Sequence, residues 1–156
     1  MNRKVIGILV AVILVAGFVY FYLNWSKSKT MLDYLEETDD ISKQYIALLI
    51  EESKLETEEE LETYTIEQSL PTLNNLISES ERINEQYRDK KLLTVHALLI
   101  DSLKTLVLAN EAWLDYSDEA EQLFIESDEL HSQYESELEE LATGWGVEIE
   151  WFEYEG

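Results

Sequence analysis

The sequence predicts an all-α protein, with an N-terminal transmembrane helix followed by an antiparallel three- to four-helix bundle and a short extended C-terminal tail. Val5 to Leu23 is an apolar run without a charged residue. Residues 18–143 contain one proline and no glycine, whereas strand-rich folds need frequent turns. Apolar residues recur there at helical spacing. We therefore divide the chain into a cytoplasmic head (1–4), a transmembrane anchor (5–25), an acidic helical bundle (28–144) and an extended tail of aromatic and acidic residues (145–156).

The anchor is predicted from its length and from the aromatic residues at its end. A helix from Val5 to Leu23 is about 28 Å long, close to the thickness of one hydrocarbon core. The core of a cleaved signal peptide is usually only about 7–15 residues long. Tyrosine and tryptophan at the end of the run are typical of a membrane interface. The residues assigned to the membrane anchor are Val5, Leu9, Leu14, Phe18, Tyr20, Phe21, Tyr22, Leu23 and Trp25.

Cleavage after Gly17 is the alternative fate of this segment. Val15-Ala16-Gly17 offers small residues of the kind found at signal-peptidase sites, and cleavage there would give a secreted acidic bundle. The stretch Leu14 to Gly17 also resembles the end of a bacterial lipoprotein signal, but Phe18 occupies the position of the lipidated cysteine. The chain has no cysteine, so no lipid can be attached through one. The longer apolar run resembles a substitute anchor, and we expect it to be retained.

The charge of the chain is divided sharply along its length. Residues 1–31 carry four basic residues and no acidic one, whereas residues 32–156 carry seven basic and all 34 acidic residues, a net charge of −27. Phosphate binding needs a basic surface, so nucleic acid is excluded as an expected partner. Arg3 and Lys4 precede the apolar run and a long domain follows it, which favours a cytoplasmic head and an extracytoplasmic bundle.

Helical periodicity predicts the elements of the bundle in order. The first helix covers about Ser28–Leu55, continues directly from the anchor because no breaker separates them, and is expected to bury Leu32, Leu35, Ile41, Tyr45, Leu48, Leu49 and Leu55. The second begins at the capping box Thr57–Glu60. Pro71 should kink it or start a new first turn with Ser69 as its cap.

Two further helices complete the prediction. The third helix carries Leu92, Val95, His96, Leu99, Leu103, Leu106, Val107, Asn110, Trp113 and Leu114. The fourth follows a cap at Ser117–Ala120 and ends at Gly144 as its left-handed residue. Three helices with a bent second member remain the competitor of a four-helix bundle.

No catalytic, cofactor-binding or metal-ligating residue is predicted. His96 lies in an apolar row, so we expect a neutral core histidine with one polar partner. Asn110 is expected to be a buried polar residue that fixes register. Asp128 and His131 have the spacing of half a di-iron site, but His96 has Leu93 at the matching place and no second copy exists. The glutamate runs are expected to be solvated helix faces.

The C-terminal tail leaves helical period. Val147, Ile149 and Trp151 alternate with glutamates in a strand-like pattern that has no partner strand in the sequence. The favoured interpretation is that the tail folds back over one end of the bundle. The sharper hypothesis is that it docks on another protein, by strand addition. The residues of this candidate docking tail are Trp145, Val147, Ile149, Trp151, Phe152 and Tyr154.

The spacing of "LPTLNNLISESERI", "HALLIDSLKTLVLANEAWL" and "ESELEELATGWGVEI" resembles uncharacterised small helical envelope proteins of Gram-positive bacteria. The resemblance implies an architecture and a location, without an activity or site residues. We therefore expect a single-pass protein of the cell membrane whose extracytoplasmic bundle binds a protein of the envelope, without catalysis and without a cofactor. The alternatives are a bundle that senses a small ligand or a cation, and the secreted form after signal cleavage.

Overall fold

The computed structural model describes the backbone of residues 3–150 and the side chains of residues 25–150. The side chains of the anchor residues Val5 to Leu23, and all of residues 151–156 with Trp151, Phe152 and Tyr154, lie outside this part of the chain. Within residues 3–150 the regular structure is entirely helical. Its elements are α1 (Arg3–Glu52), α2 (Glu58–Tyr64), a π-helical turn (Thr65–Ser69), α3 (Leu70–Gln86), α4 (Lys90–Leu114) and α5 (Ala120–Gly144).

The all-helical bundle is confirmed, and four helices pack together rather than three. The helix α2, the π turn and α3 follow one another without a break and form one second member between α1 and α4. Tyr64 Oη donates to the Leu48 carbonyl over 3.2 Å, which joins the start of the second member to the C-terminal part of α1. Ser127 Oγ donates to the Ser102 carbonyl over 3.0 Å and joins α5 to α4.

The first helix is unbroken from Arg3 to Glu52, as the absence of a breaker predicts. Its buried face differs from the predicted one. Leu32 and Leu49 are 55% and 47% exposed, so their assignment to the core was wrong. The buried residues of this face are Met31, Tyr34, Thr38, Ile41 and Leu48.

The second member starts at the predicted capping box and continues through the π turn into α3. Thr57 Oγ1 accepts from the Glu60 N–H over 3.2 Å, and the Glu60 carboxylate accepts from the Thr57 N–H, which completes the capping box. Pro71 lies in the first turn of α3, directly after the π-helical turn. The predicted cap at Ser69 was wrong: its side chain makes no capping bond, and the π turn leads directly into α3.

Both α4 and α5 end in the same motif, in which a residue with left-handed backbone closes the helix. At the end of α5 the Val147 N–H donates to the Ala142 carbonyl over 2.9 Å and Gly146 has φ +77°. This is the pattern of a Schellman motif. The prediction that Gly144 takes the left-handed position was wrong, because Gly144 is the last helical residue. At the end of α4 the same position belongs to Tyr116, with φ 55°.

The hydrophobic core lies where α4 meets its three neighbours. Within residues 25–150, α4 is the one helix long and apolar enough to span a membrane, and 44% of its most apolar window is buried inside the bundle. Leu92, Leu99 and Leu103 from α4 are at most 5% exposed. They pack with Leu73, Leu76 and Ile83 of α3 and with Tyr134, Leu138 and Ala142 of α5.

The two glycines near the end of α5 give a matched test of this fold. An added Cβ at Gly146 meets only Ser28 Oγ at 3.7 Å, so Gly146→Ala strains the backbone without a clash. We expect it to lower the free energy of unfolding by about 1–2 kcal/mol. Gly144→Ala has open space and helical backbone, and should leave stability unchanged or raise it by up to about 1 kcal/mol. Urea unfolding of the full chain in non-ionic detergent, followed by circular dichroism, measures both. Equal changes in the free energy of unfolding for the two variants would contradict the assignment of the left-handed backbone to Gly146.

Candidate functional site

His96 lies at the centre of the bundle and uses both of its ring nitrogens. It is 1% exposed. Its Nε2 lies 2.8 Å from the Ser80 carbonyl oxygen, which can only accept, so Nε2 carries the proton. Its Nδ1 lies 2.8 Å from Tyr34 Oη and accepts the hydroxyl proton. The prediction of a buried core histidine is confirmed, with two polar partners instead of one.

The hydrogen bonds continue from Tyr34 to α5. Tyr134 Oη lies 3.2 Å from Tyr34 Oη and is the donor, since the Tyr34 proton is directed to His96. Burial raises the pKa of Tyr34 and raises that of Tyr134 to about 12, so both hydroxyls stay protonated. Burial lowers the pKa of His96, with the bond to Ser80 opposing it, so the ring stays neutral. This chain of hydrogen bonds joins α1, α3, α4 and α5, and it leaves no free ring nitrogen for catalysis.

A groove between α1 and α5 is the candidate functional site. The helix α4 packs along both α5 and α3, and α1 packs along α3, whereas close backbone approach between α1 and α5 is sparse. The resulting opening has a volume of about 640 Å³, within the range of ligand sites in proteins. The helices α1, α4 and α5 and the residues after α5 line it: Leu35, Thr38, Asp39, Ile41, Ser42, Tyr45, Ile46, Leu49, Leu99, Leu103, Asp128, His131, Ser132, Tyr134, Glu135, Leu138, Glu148, Ile149 and Glu150.

The apolar floor of the groove is formed by the half-buried Leu35, Tyr45, Ile46 and Ile149, and the hydrophobic core lies directly beneath it. Ile41, Leu103 and Leu138 are at most 2% exposed, and they come from three different helices. Leu49, whose side chain was expected to be buried, instead forms part of the groove wall and is 47% exposed. The apolar stripe of α1 is thus wider than the surface that the other helices cover.

His131 lies in the wall of the groove beneath an aromatic ring. The centroids of His131 and Tyr45 are 5.0 Å apart. His131 Nε2 is 3.6 Å from Glu135 Oε1, and its Nδ1 is buried without a hydrogen-bond partner. Burial lowers the pKa of His131, and the nearby carboxylates of Glu135 and Asp128 oppose this. The residue is half-buried, at the edge of the solvated face.

The rim of the groove is acidic on both sides. Asp39 lies on α1, Asp128 and Glu135 lie on α5, and Glu148 and Glu150 follow α5. None of the described lining residues is lysine or arginine. The groove therefore combines an apolar floor with a negative rim.

The candidate docking tail is divided between the core and the groove. Trp145 and Val147 are 4% and 8% exposed and belong to the core. Ser28 Oγ donates to the Trp145 carbonyl, and Lys27 Nζ lies 5.6 Å from the centre of the Trp145 ring. Ile149 is half-buried and lines the groove. Residues 147–150 are irregular, so the strand-like pattern forms no strand in the described part of the tail.

The structure also places Asn110 and the histidine and acidic side chains of the bundle. Asn110 is buried, but its amide donates over 2.8 Å to the Leu106 carbonyl of its own helix, so the expected role in register was wrong. Among residues 25–150, no group of three or more histidine, aspartate or glutamate side chains is arranged to hold a metal ion.

Comparison with protein-family models, curated proteins and solved structures found no match for this chain. The groove was not predicted from the sequence. Its one signal is the excess of apolar residues on α1, where Leu35, Tyr45 and Leu49 exceed what a single buried stripe needs.

Substitution of His96 tests the neutral histidine. His96→Leu leaves the Tyr34 hydroxyl and the Ser80 carbonyl without this partner, and should lower the free energy of unfolding by about 1–3 kcal/mol for each group left unpaired. His96→Gln keeps a donor and an acceptor but cannot be protonated. Because the folded-state pKa of His96 lies below its unfolded value, protons bind the unfolded state preferentially as the pH falls from about 6.5.

The wild type should therefore lose stability relative to His96→Gln between pH 8 and pH 5. His131 and the carboxylates are present in both proteins, so their contributions to the pH dependence cancel when the two free energies of unfolding are subtracted. Urea unfolding at the two pH values measures it. If the free energies of unfolding of the two proteins differ by the same amount at pH 8 and at pH 5, His96 is not held neutral in the folded state.

Proposed function

We propose that this protein is a membrane-tethered helical bundle that binds another component of the cell envelope in the groove between α1 and α5, without catalysis. The observation that carries the proposal is the open edge of the bundle, where half-buried apolar residues that overlie the core line a groove of about 640 Å³. A bundle that served only as a spacer would be more stable with this edge closed.

The membrane tether is supported by the continuity of α1. One helix, Arg3–Glu52, contains the apolar run in its first half and contributes Tyr34 and Ile41 to the core in its second half. Trp25, at the boundary, is 64% exposed, as suits a residue at a membrane interface. At 1.5 Å per residue the groove lies roughly 15–36 Å from Trp25 along the helix, within reach of envelope proteins next to the membrane.

The distribution of charge agrees with this orientation. Three lysines and two glutamates line one cleft beside Trp145, at the end of the bundle that adjoins the apolar run: Lys27, Lys90, Lys91, Glu137 and Glu140. The opposite end carries the exposed glutamates Glu58 and Glu59. Lysines at the near end reduce the repulsion that anionic headgroups would exert on a domain of net negative charge.

Single-cysteine variants test the proposal, since the chain has no cysteine of its own. Ser132→Cys lies in the groove, Glu126→Cys lies on the exposed surface of the same helix outside it, and Asn2→Cys marks the head. In intact cells of a Gram-positive host a membrane-impermeant maleimide should label positions 132 and 126 but not position 2. A benzophenone maleimide at position 132 should photo-crosslink a protein that position 126 does not capture.

Labelling of position 2 in intact cells would contradict the proposed topology. A shortened chain in the culture medium would establish the secreted alternative. Identical crosslinking at positions 132 and 126 would show that the groove is not the binding site.

A further inference from the structure

We infer that the groove between α1 and α5 binds a basic amphipathic helix of the partner protein, with the apolar face of that helix on the groove floor and its Lys or Arg residues against the acidic rim. The inference rests on the proposed function and gives the chemistry of the partner. It is drawn from the shape of the groove, its apolar floor and the charge of its two sides.

The shape of the groove is that of a missing helix–helix contact. Its walls are α1 and α5, which touch at Ser28–Trp145, Tyr34–Tyr134 and Tyr45–His131 and leave the opening beside these contacts. On α1 the lining runs from Leu35 to Leu49, about 21 Å or four helical turns. A helix of about 14 residues has this length, and an amphipathic helix laid in an apolar groove is a recurring mode of peptide recognition.

The rim determines the charge of the occupant. Carboxylates stand on both sides of the apolar floor: Asp39 on one wall, Asp128 and Glu135 on the other, and Glu148 and Glu150 at one end. Asp39 already pairs with Lys43, which leaves the opposite wall as the more strongly negative side. A helix with lysine or arginine on both flanks of its apolar stripe complements this arrangement.

Charge also disfavours the other occupants. A second copy of the chain would bring a domain with a net charge of −27 onto a negative rim. The segment 151–156 carries two glutamates and no basic residue, so it would be repelled in the same way. A small organic amine would satisfy the rim at one point but would leave most of a 21 Å apolar floor uncovered.

The test uses the full chain in nanodiscs of zwitterionic lipid and 14-residue peptides of leucine and lysine. One peptide places leucine at i, i+3, i+4 and i+7, and a second has the same composition in scrambled order. A third replaces every lysine of the first by glutamate. Fluorescence anisotropy, with the signal of empty nanodiscs subtracted, gives each Kd. The amphipathic leucine–lysine peptide should bind most tightly.

Two triple variants with the same change in charge separate the rim from general acidity. Asp39→Asn with Asp128→Asn and Glu135→Gln neutralises the rim. Glu59→Gln with Glu62→Gln and Glu67→Gln neutralises exposed acids outside the groove. The rim variant should bind the amphipathic basic peptide about tenfold more weakly. The control should bind like the wild type, and Ser132→Trp, which places a large ring in the groove, should also weaken binding.

Several results would overturn the inference. They are equal losses in the two triple variants, equal binding of the scrambled or glutamate peptide, and saturation of the groove by octylammonium with no peptide binding. Dimerisation of the wild type that Ser132→Trp abolishes would assign the groove to a second copy. Peptide binding that appears only after truncation at Glu150 would assign it to residues 151–156.

The inference and the proposed function fail in different ways. A protein crosslinked at position 132 in cells, together with no preference for basic peptides, would leave the binding function standing and overturn the basic helix. Tight binding of the basic peptide, with no protein crosslinked at position 132, would overturn the proposed function.

Discussion

A neutral histidine fixes where the four helices meet. The Ser80 carbonyl can only accept a hydrogen bond, so it sets the His96 tautomer, and the tautomer sets the direction of every bond beyond it. Tyr34 must donate to His96, and Tyr134 must donate to Tyr34. Each donor is buried, so a shift of one helix along another would leave polar atoms unpaired at a cost of about 1–3 kcal/mol each. The network therefore specifies register in a core otherwise made of leucine and isoleucine.

The same constraint explains the rotation of α1 and the position of the groove. Tyr34 has to face His96, which turns Met31 and Ile41 inward and leaves Leu32 and Leu49 outside. The hydroxyl bond to Tyr134 holds α1 near α5 at one level, and the bond from Ser28 to the Trp145 carbonyl holds it at another. The rings of Tyr45 and His131 meet at a third level, and beside these contacts the two helices leave an opening that is lined on α1 from Leu35 to Leu49. A bundle tied by a few contacts between two helices can thus keep an apolar groove beside them.

Much of the fold could be predicted from local sequence, because local signals determine helices and their ends. The lack of glycine predicted long helices, and the capping box at Thr57 was confirmed. The position of the left-handed residue could not be predicted, because Gly144 and Gly146 both permit it and the packing of Val147 selects the second. The core face of α1 was misassigned since hydrophobicity ranks Leu32 above Tyr34, while Tyr34 is buried through a partner 62 residues away.

The groove lies beyond sequence-based prediction for the same reason. Its lining comes from α1, α4, α5 and the residues after α5, and Ile41, Leu103 and Leu138 beneath it are each an ordinary core position when taken alone. Leu49 can be recognised as a groove residue from its 47% exposed side chain, but that exposure is known only once the fold is known. The sequence likewise could not show that Asp128 and His131 line a groove, because the opposite wall belongs to α1. Tyr45 of α1 covers the His131 ring, and Asp39 of α1 faces them across the groove.

The tautomer of His96 tests the central claim most directly. Nitrogen-15 NMR of the histidine side chains in the full chain, recorded from pH 8 to pH 5, distinguishes the two neutral tautomers from the cation. The hydrogen-bond chain predicts a proton on Nε2 of His96, an unprotonated Nδ1, and no titration near the ordinary value of about 6.5. A proton on Nδ1 at neutral pH, or a ring that titrates near 6.5, would contradict the account of how the four helices are held in register.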